Sequence, residues 1–138
     1  MQYIAASLNE IPGVCKEMLP KLTTAPIVLI FGKMGSGKTT FIAELCRQLN
    51  CTTEAASPTY SIVNEYETRN GDIIYHFDLY RLKTKEELLD IGFEEYVDSG
   101  HICLIEWPEM ALDLIHPPAL RLSISNENGS RRYEIESL

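Results

Sequence analysis

Residues 26 to 40 read "PIVLIF" followed at once by "GKMGSGKTT", and this junction constrains the fold more than any other part of the chain. Six consecutive apolar residues rich in β-branched types describe a strand buried on both faces, which is the usual state of a strand inside a parallel sheet. A glycine-rich loop then leads into "TTFIAELCRQLN", where Phe41, Ile42, Leu45, Cys46 and Leu49 share one helical face. A buried strand, a glycine loop and an amphipathic helix in immediate succession predict an α/β fold with three layers. The predicted phosphate-binding loop lies at the C-terminal end of the strand.

Gly32, Gly35, Gly37, Lys38 and Thr39 satisfy G-x-x-x-x-G-K-[ST]. The glycines let the backbone fold back and aim its N–H groups at phosphate oxygens, with Met34, Ser36 and Thr40 completing the cradle. The start of the following helix adds the positive end of its dipole. Lys38 supplies a mobile charge for the β- and γ-phosphates, and the Thr39 hydroxyl suits Mg²⁺.

Such a loop needs carboxylates for its metal and its attacking water, and the ends of neighbouring buried strands are where ligands of open α/β sheets sit. "HICLIE" is a second continuous apolar run, expected beside the first, and it ends in Glu106. "IIYHFD" ends in Asp78. One acid can hold a metal water while the other orients the nucleophile. Among the other polar residues, Thr59 in "SPTY" reads either as a γ-phosphate sensor or as ordinary turn chemistry. His76 shares a strand face with Asp78 and reads first as a hydrogen-bonded structural histidine. Arg81 suits a phosphate, a partner or a surface ion pair. Trp107 reads either as core packing or, with Pro108 biasing it toward an extended backbone at the strand's exit, as a residue close to the nucleotide.

The rest of the chain reads as follows. "QYIAAS" is a short edge strand. "NEIPGVCKEML" is a helix with Asn9 as cap, Pro12 in its first turn and Val14, Cys15, Met18 and Leu19 as its apolar stripe, stopped by Pro20. Asn70-Gly71 joins two β-rich runs into an antiparallel hairpin, so the sheet is mixed. Thr84 and Glu87 have capping-box spacing, and Gly92 ends that helix. "LRLSIS" and "RRYEIE" form a closing hairpin. The 138 residues, 45 % of them apolar, fit one domain over residues 1–138. The four cysteines form no C-x-x-C pair, which fits reduced thiols in a cytoplasm rather than a disulfide frame or a zinc site. No secretion signal and no membrane span is read. A net charge of −8 without a basic cluster argues against stable nucleic-acid binding by the chain alone.

ATP is favoured over GTP, because neither an N-K-x-D segment nor a D-x-x-G switch is present. Three classes stay open on these residues: an ATPase driving a conformational step, a small P-loop nucleoside or nucleotide kinase, and a non-hydrolysing ATP-dependent adaptor. The kinase lacks an arginine-rich lid, with only 12 Lys plus Arg in the chain. The two carboxylates argue against the adaptor.

In order and spacing, "GKMGSGKTTFI", "SPTYSIVNEY", "YHFDLYRL", "EELLDIGFEEY" and "LIEWPE" resemble the TsaE (YjeE) family of bacterial P-loop ATPases, from about residue 26 to 110. Lys33 departs from the acid often found at its position. The resemblance implies a cytoplasmic protein that takes part in making threonylcarbamoyladenosine, beside the anticodon of tRNAs reading codons that begin with A. It implies TsaD and TsaB as partners, Mg²⁺ as cofactor, and ATP hydrolysis that resets the TsaD–TsaB complex, with TsaD as the transferase. It matches the Mg²⁺ ligands to Thr39 and Glu106, the catalytic aspartate to Asp78, the loop lysine to Lys38 and the switch threonine to Thr59. It puts Trp107 close to the nucleotide, Ser7 near the adenine and Glu109 nearby.

Overall fold

The structure is a computed structural model that describes residues 1–52 and 62–138; Thr59 lies outside the described residues. Strands β1 (Gln2–Ala5), β2 (Ile27–Phe31), β3 (Val63–Glu67), β4 (Ile73–Asp78), β5 (Ile102–Glu106), β6 (Ala119–Glu127) and β7 (Ser130–Ser137) form one sheet in the order β1-β7-β6-β2-β5-β4-β3. β6, β2, β5 and β4 pair in parallel, and β7 and β3 are antiparallel to their neighbours. Because β1 is in turn antiparallel to β7, β1, β2, β4, β5 and β6 all run one way, so the sheet is mixed and mainly parallel.

The helices lie on both faces, because β2 and β5 bury both of theirs. Val28 and Ile30 of β2 and Leu104 of β5 pack with α1 (Ile11–Leu22) and α2 (Lys38–Gln48). Their alternate residues Ile27, Leu29, Cys103 and Ile105 pack on the other face with Leu88, Phe93 and Val97, from α3 (Lys85–Asp90), α4 (Phe93–Val97) and the loops around them. A strand with helices over both faces has no position that tolerates a polar residue until it reaches its end, which is why these strands read as unbroken apolar runs. No helix of the described residues is long and apolar enough to cross a membrane.

Three local expectations need correction. Pro20 does not stop α1, which continues to Leu22. Proline removes only one backbone donor near the end of this helix, and the Thr23 hydroxyl and N–H both bond the Leu19 carbonyl there, closing the last turn. Asn9 is not the cap either: Leu8–Glu10 form a 3₁₀ turn and Glu10 occupies the N-cap position without a side-chain bond. Trp107 is not extended but left-handed, at φ 54° and ψ 57°, because the chain must turn sharply out of β5 into the 3₁₀ helix at Pro108–Leu114. The four cysteines are free thiols, with Cys15, Cys46 and Cys103 buried.

Candidate nucleotide and metal site

β2 ends at Phe31 and α2 begins at Lys38, so residues 32–37 must reverse direction within one short loop. Gly35 at φ +78° and Gly37 at φ +101° supply the left-handed conformations that reversal requires. Gly32 is needed for another reason: a Cβ there would lie 2.5 Å from Ser36 Oγ and 2.9 Å from the Ile124 carbonyl oxygen.

Lys38 is only 6 % exposed. Its ammonium donates to the carbonyls of Gly32 at 2.5 Å and Lys33 at 3.0 Å, and it sits 4.2 Å from the centroid of the Trp107 ring. Burial lowers its pKa, while Glu106, Asp78 and Glu109 pull it back up. These bonds hold the ammonium within the glycine loop, the position in which a loop of this motif offers its lysine to phosphate. Two buried polar atoms at the loop, Ser36 Oγ near Gly32 and Arg131 Nη1 near Gly37, have no hydrogen-bond partner among the described residues. Unpaired buried donors are costly, so their presence around a glycine cradle fits an anionic ligand.

Strand register brings the acids to the same place. Glu106 pairs with Ile30 of β2 on one side and with Asp78 of β4 on the other, so both carboxylates reach the C-terminal end of the parallel strands, where the glycine loop leaves. Lys38, Thr39, Thr40, Asp78, Glu106 and Trp107 line one cavity of about 320 Å³, with Met34, Gly35, Gly37, Tyr80 and Arg131 completing it. Asp78 is half-buried. Desolvation raises its pKa chiefly, and the neighbouring Glu106 charge adds to this; the Tyr80 N–H at 3.1 Å, His76 and Lys38 oppose it. Glu106 is 2 % exposed and its Oε2 lies 2.6 Å from His76 Nε2.

A second, larger cavity of about 790 Å³ opens on the other flank of the loop, between residues 31–36 and residues 123–129 of the β6–β7 hairpin. Sequence reading assigned that hairpin no role at the site. It also missed Arg131, whose guanidinium lies against Gly37 so closely that any Cβ there would strike it. A signal was present: Arg131, Tyr133 and Ile135 alternate along β7, and the last two are core residues, so Arg131 faces the same side.

Comparison with known proteins gives a consistent answer. The family model described as "Threonylcarbamoyl adenosine biosynthesis protein TsaE" matches residues 5–134. The chain belongs to the TsaE family. Two relatives named tRNA threonylcarbamoyladenosine biosynthesis protein TsaE illustrate the similarity. That of Rickettsia felis is 37 % identical over 126 residues, covering 90 % of this chain and 72 % of its own. That of Haemophilus influenzae is 36 % identical over 121 residues, covering 86 % and 76 %. The crystal structure of YdiB from Bacillus subtilis superposes with a TM-score of 0.76, covering 99 % of this chain and 84 % of that one at 23 % identity, which shows a shared fold.

The residues that a TsaE family member is expected to use are not all in one place. Gly32, Met34, Gly35 and Ser36 border the larger cavity, and Met34 and Gly35 also border the smaller one. Trp107 lies beside Lys38 and is packed by Tyr80, with ring centroids 5.0 Å apart. Glu109 lines a separate cleft with Tyr80, Trp107 and Met110. Ser7 is exposed, precedes the 3₁₀ turn after β1, and lines neither cavity at the loop.

Proposed function

We propose that this chain is a Mg²⁺-dependent ATPase of threonylcarbamoyladenosine biosynthesis, acting in the cytoplasm. The observation that carries the reading is the register of β4 against β5. It sets Asp78 and Glu106 side by side at the mouth of a loop whose lysine bonds the Gly32 and Lys33 carbonyls.

In this reading the backbone N–H groups of residues 32–40 and the Lys38 ammonium bind the triphosphate, and Arg131 closes over it. Thr39 and Glu106 would hold Mg²⁺, which would supply neutralisation of phosphate charge there. Asp78 orients the attacking water and accepts its proton at the carboxylate. The upward shift of the Asp78 pKa fits that task, since an acid raised toward neutrality is a better proton acceptor than one at the usual carboxylate value. Trp107 and Tyr80 shield one side of this centre from water. Ser7 and Glu109 contribute to nucleotide binding at its periphery, and Thr59 senses the γ-phosphate.

Hydrolysis by this chain is weak alone and is stimulated by TsaD and TsaB, whose complex it resets between turnovers. A net charge of −8 suits a subunit whose partners are proteins rather than tRNA. Phosphate release from ATP, measured with and without TsaD and TsaB, tests the reading. Mg²⁺-dependent release that rises with the partners supports it, and phosphate transfer to a small nucleoside instead overturns it.

A further inference from the structure

A chain of polar side chains, buried from Tyr66 onward, runs from the edge strand β3 to Glu106. Asn64 Nδ2 on β3 lies 3.3 Å from the Tyr66 hydroxyl, which lies 2.9 Å from His76 Nδ1, and His76 Nε2 lies 2.6 Å from Glu106 Oε2. Tyr66, His76 and Glu106 are 4 %, 0 % and 2 % exposed. The direction of the bonds follows from the chemistry of each group when the ring carries a single proton. A carboxylate can only accept, so His76 Nε2 donates to Glu106. With that one proton at Nε2, Nδ1 accepts from the Tyr66 hydroxyl, whose oxygen accepts in turn from the Asn64 amide. One tautomer thus gives every one of these contacts a donor and an acceptor.

Packing alone does not account for this arrangement. The face of β4 and β5 around His76 is otherwise lined by Ile74 and Leu104, and an aliphatic residue would fill the same space without the cost of burying an imidazole. We propose that His76 is a positioning residue for Glu106, locking one carboxylate oxygen so that the group meets Mg²⁺ in a single orientation, with Tyr66 holding the imidazole at its other nitrogen. The inference rests on the assignment of Glu106 to the metal made above. Glutamate has three side-chain torsions, and a donor fixed by its own buried partner removes that freedom before the metal arrives.

The test is calorimetric titration of the purified protein with ADP, in EDTA and across a Mg²⁺ series. The quantity read is the tightening of ADP binding by Mg²⁺. His76→Asn keeps a donor only at the Nδ1 position, whereas His76→Gln restores one near Nε2. The tightening should fall about 10-fold or more in His76→Asn and stay within about 3-fold of the parent in His76→Gln, with metal-free ADP affinity changed less than about 2-fold in both. An undiminished Mg²⁺ effect in His76→Asn overturns the inference. So does an equal loss in the two variants, or a parallel loss of metal-free affinity.

If His76→Asn does not fold, Tyr66→Phe, which keeps the ring, decides: a weakened Mg²⁺ effect supports the inference and an unchanged one overturns it. The ¹⁵N shifts of the His76 ring in the nucleotide-free parent give a metal-independent check. The Nε2–H tautomer is expected, and Nδ1–H would overturn the inference. Glu106→Gln separates the two levels. Loss of the Mg²⁺ effect there, with full retention in His76→Asn, overturns only the role of His76. Retention in Glu106→Gln removes the metal assignment and the inference with it.

Discussion

Asp78 shows how a single residue trades stability for chemistry. It is half-buried beside a second carboxylate, and its pKa is raised in the folded chain mainly by desolvation. For an acid raised on folding, the unfolded chain ionises first, so the folded state loses stability as pH rises from the unfolded pKa through the folded one. The nucleotide-free protein should therefore be more stable below that window than above it, as far as Asp78 is concerned. Asp78→Asn, which still accepts the Tyr80 N–H, should melt at a higher temperature than the parent at pH 7 and show no such gain at low pH. Differential scanning calorimetry at the two pH values checks the sign. Lys38→Ala should abolish measurable ATP affinity in the same calorimeter, because it removes the side-chain cation that bonds the loop carbonyls of Gly32 and Lys33. Lys38, Thr39, Glu106 and Asp78 could all be picked out from the sequence, because a motif or a strand end marks each of them. The bond between His76 and Glu106 could not, since it depends on the register that sets β4 against β5 and no local pattern encodes it. The left-handed Trp107 was equally hidden: the following proline biases it toward extension, and the turn overrides that bias at a cost of about 1–3 kcal/mol.

Among the elements, those with strong local chemistry follow their sequence signals. In α3 the Thr84 hydroxyl accepts from the Glu87 N–H at 3.3 Å, and the Glu87 carboxylate accepts from the Thr84 N–H at 3.1 Å, completing the capping box. Thr84→Ala should cost about 1 kcal/mol in a urea titration and leave ADP affinity unchanged, since the cap lies outside both cavities at the loop. The hairpin at Asn70-Gly71 forms as its turn residues require, with Gly71 at φ +86°. What local chemistry cannot specify is which strands become neighbours. That β6 pairs in parallel with β2, and so carries the β6–β7 hairpin to the glycine loop, follows from burying β2 on both edges. The second cavity and Arg131 were missed for that reason.

Across the whole molecule, two apolar layers hold the sheet between α1 and α2 on one side and α3 and α4 on the other. The site sits where the parallel strands end, so its geometry is only as rigid as their packing. Leu104 is fully buried in β5, two residues before Glu106. Leu104→Ala should cost about 2–5 kcal/mol, a large part of the stability of a domain this size, and should be read as a shift in the urea midpoint. The three-layer architecture was legible from two unbroken apolar runs and one glycine loop, because burial on both faces leaves so plain a mark.

The central claim is that Asp78 acts on the water and not on the nucleotide, at a centre built on the glycine loop. The most direct measurement compares Asp78→Asn with the parent in Mg·ATP affinity and, with TsaD and TsaB present, in ATP turnover. The account predicts unchanged affinity and a turnover reduced by about 100-fold or more, the scale of a lost general base. Equal turnover in the two proteins would contradict it.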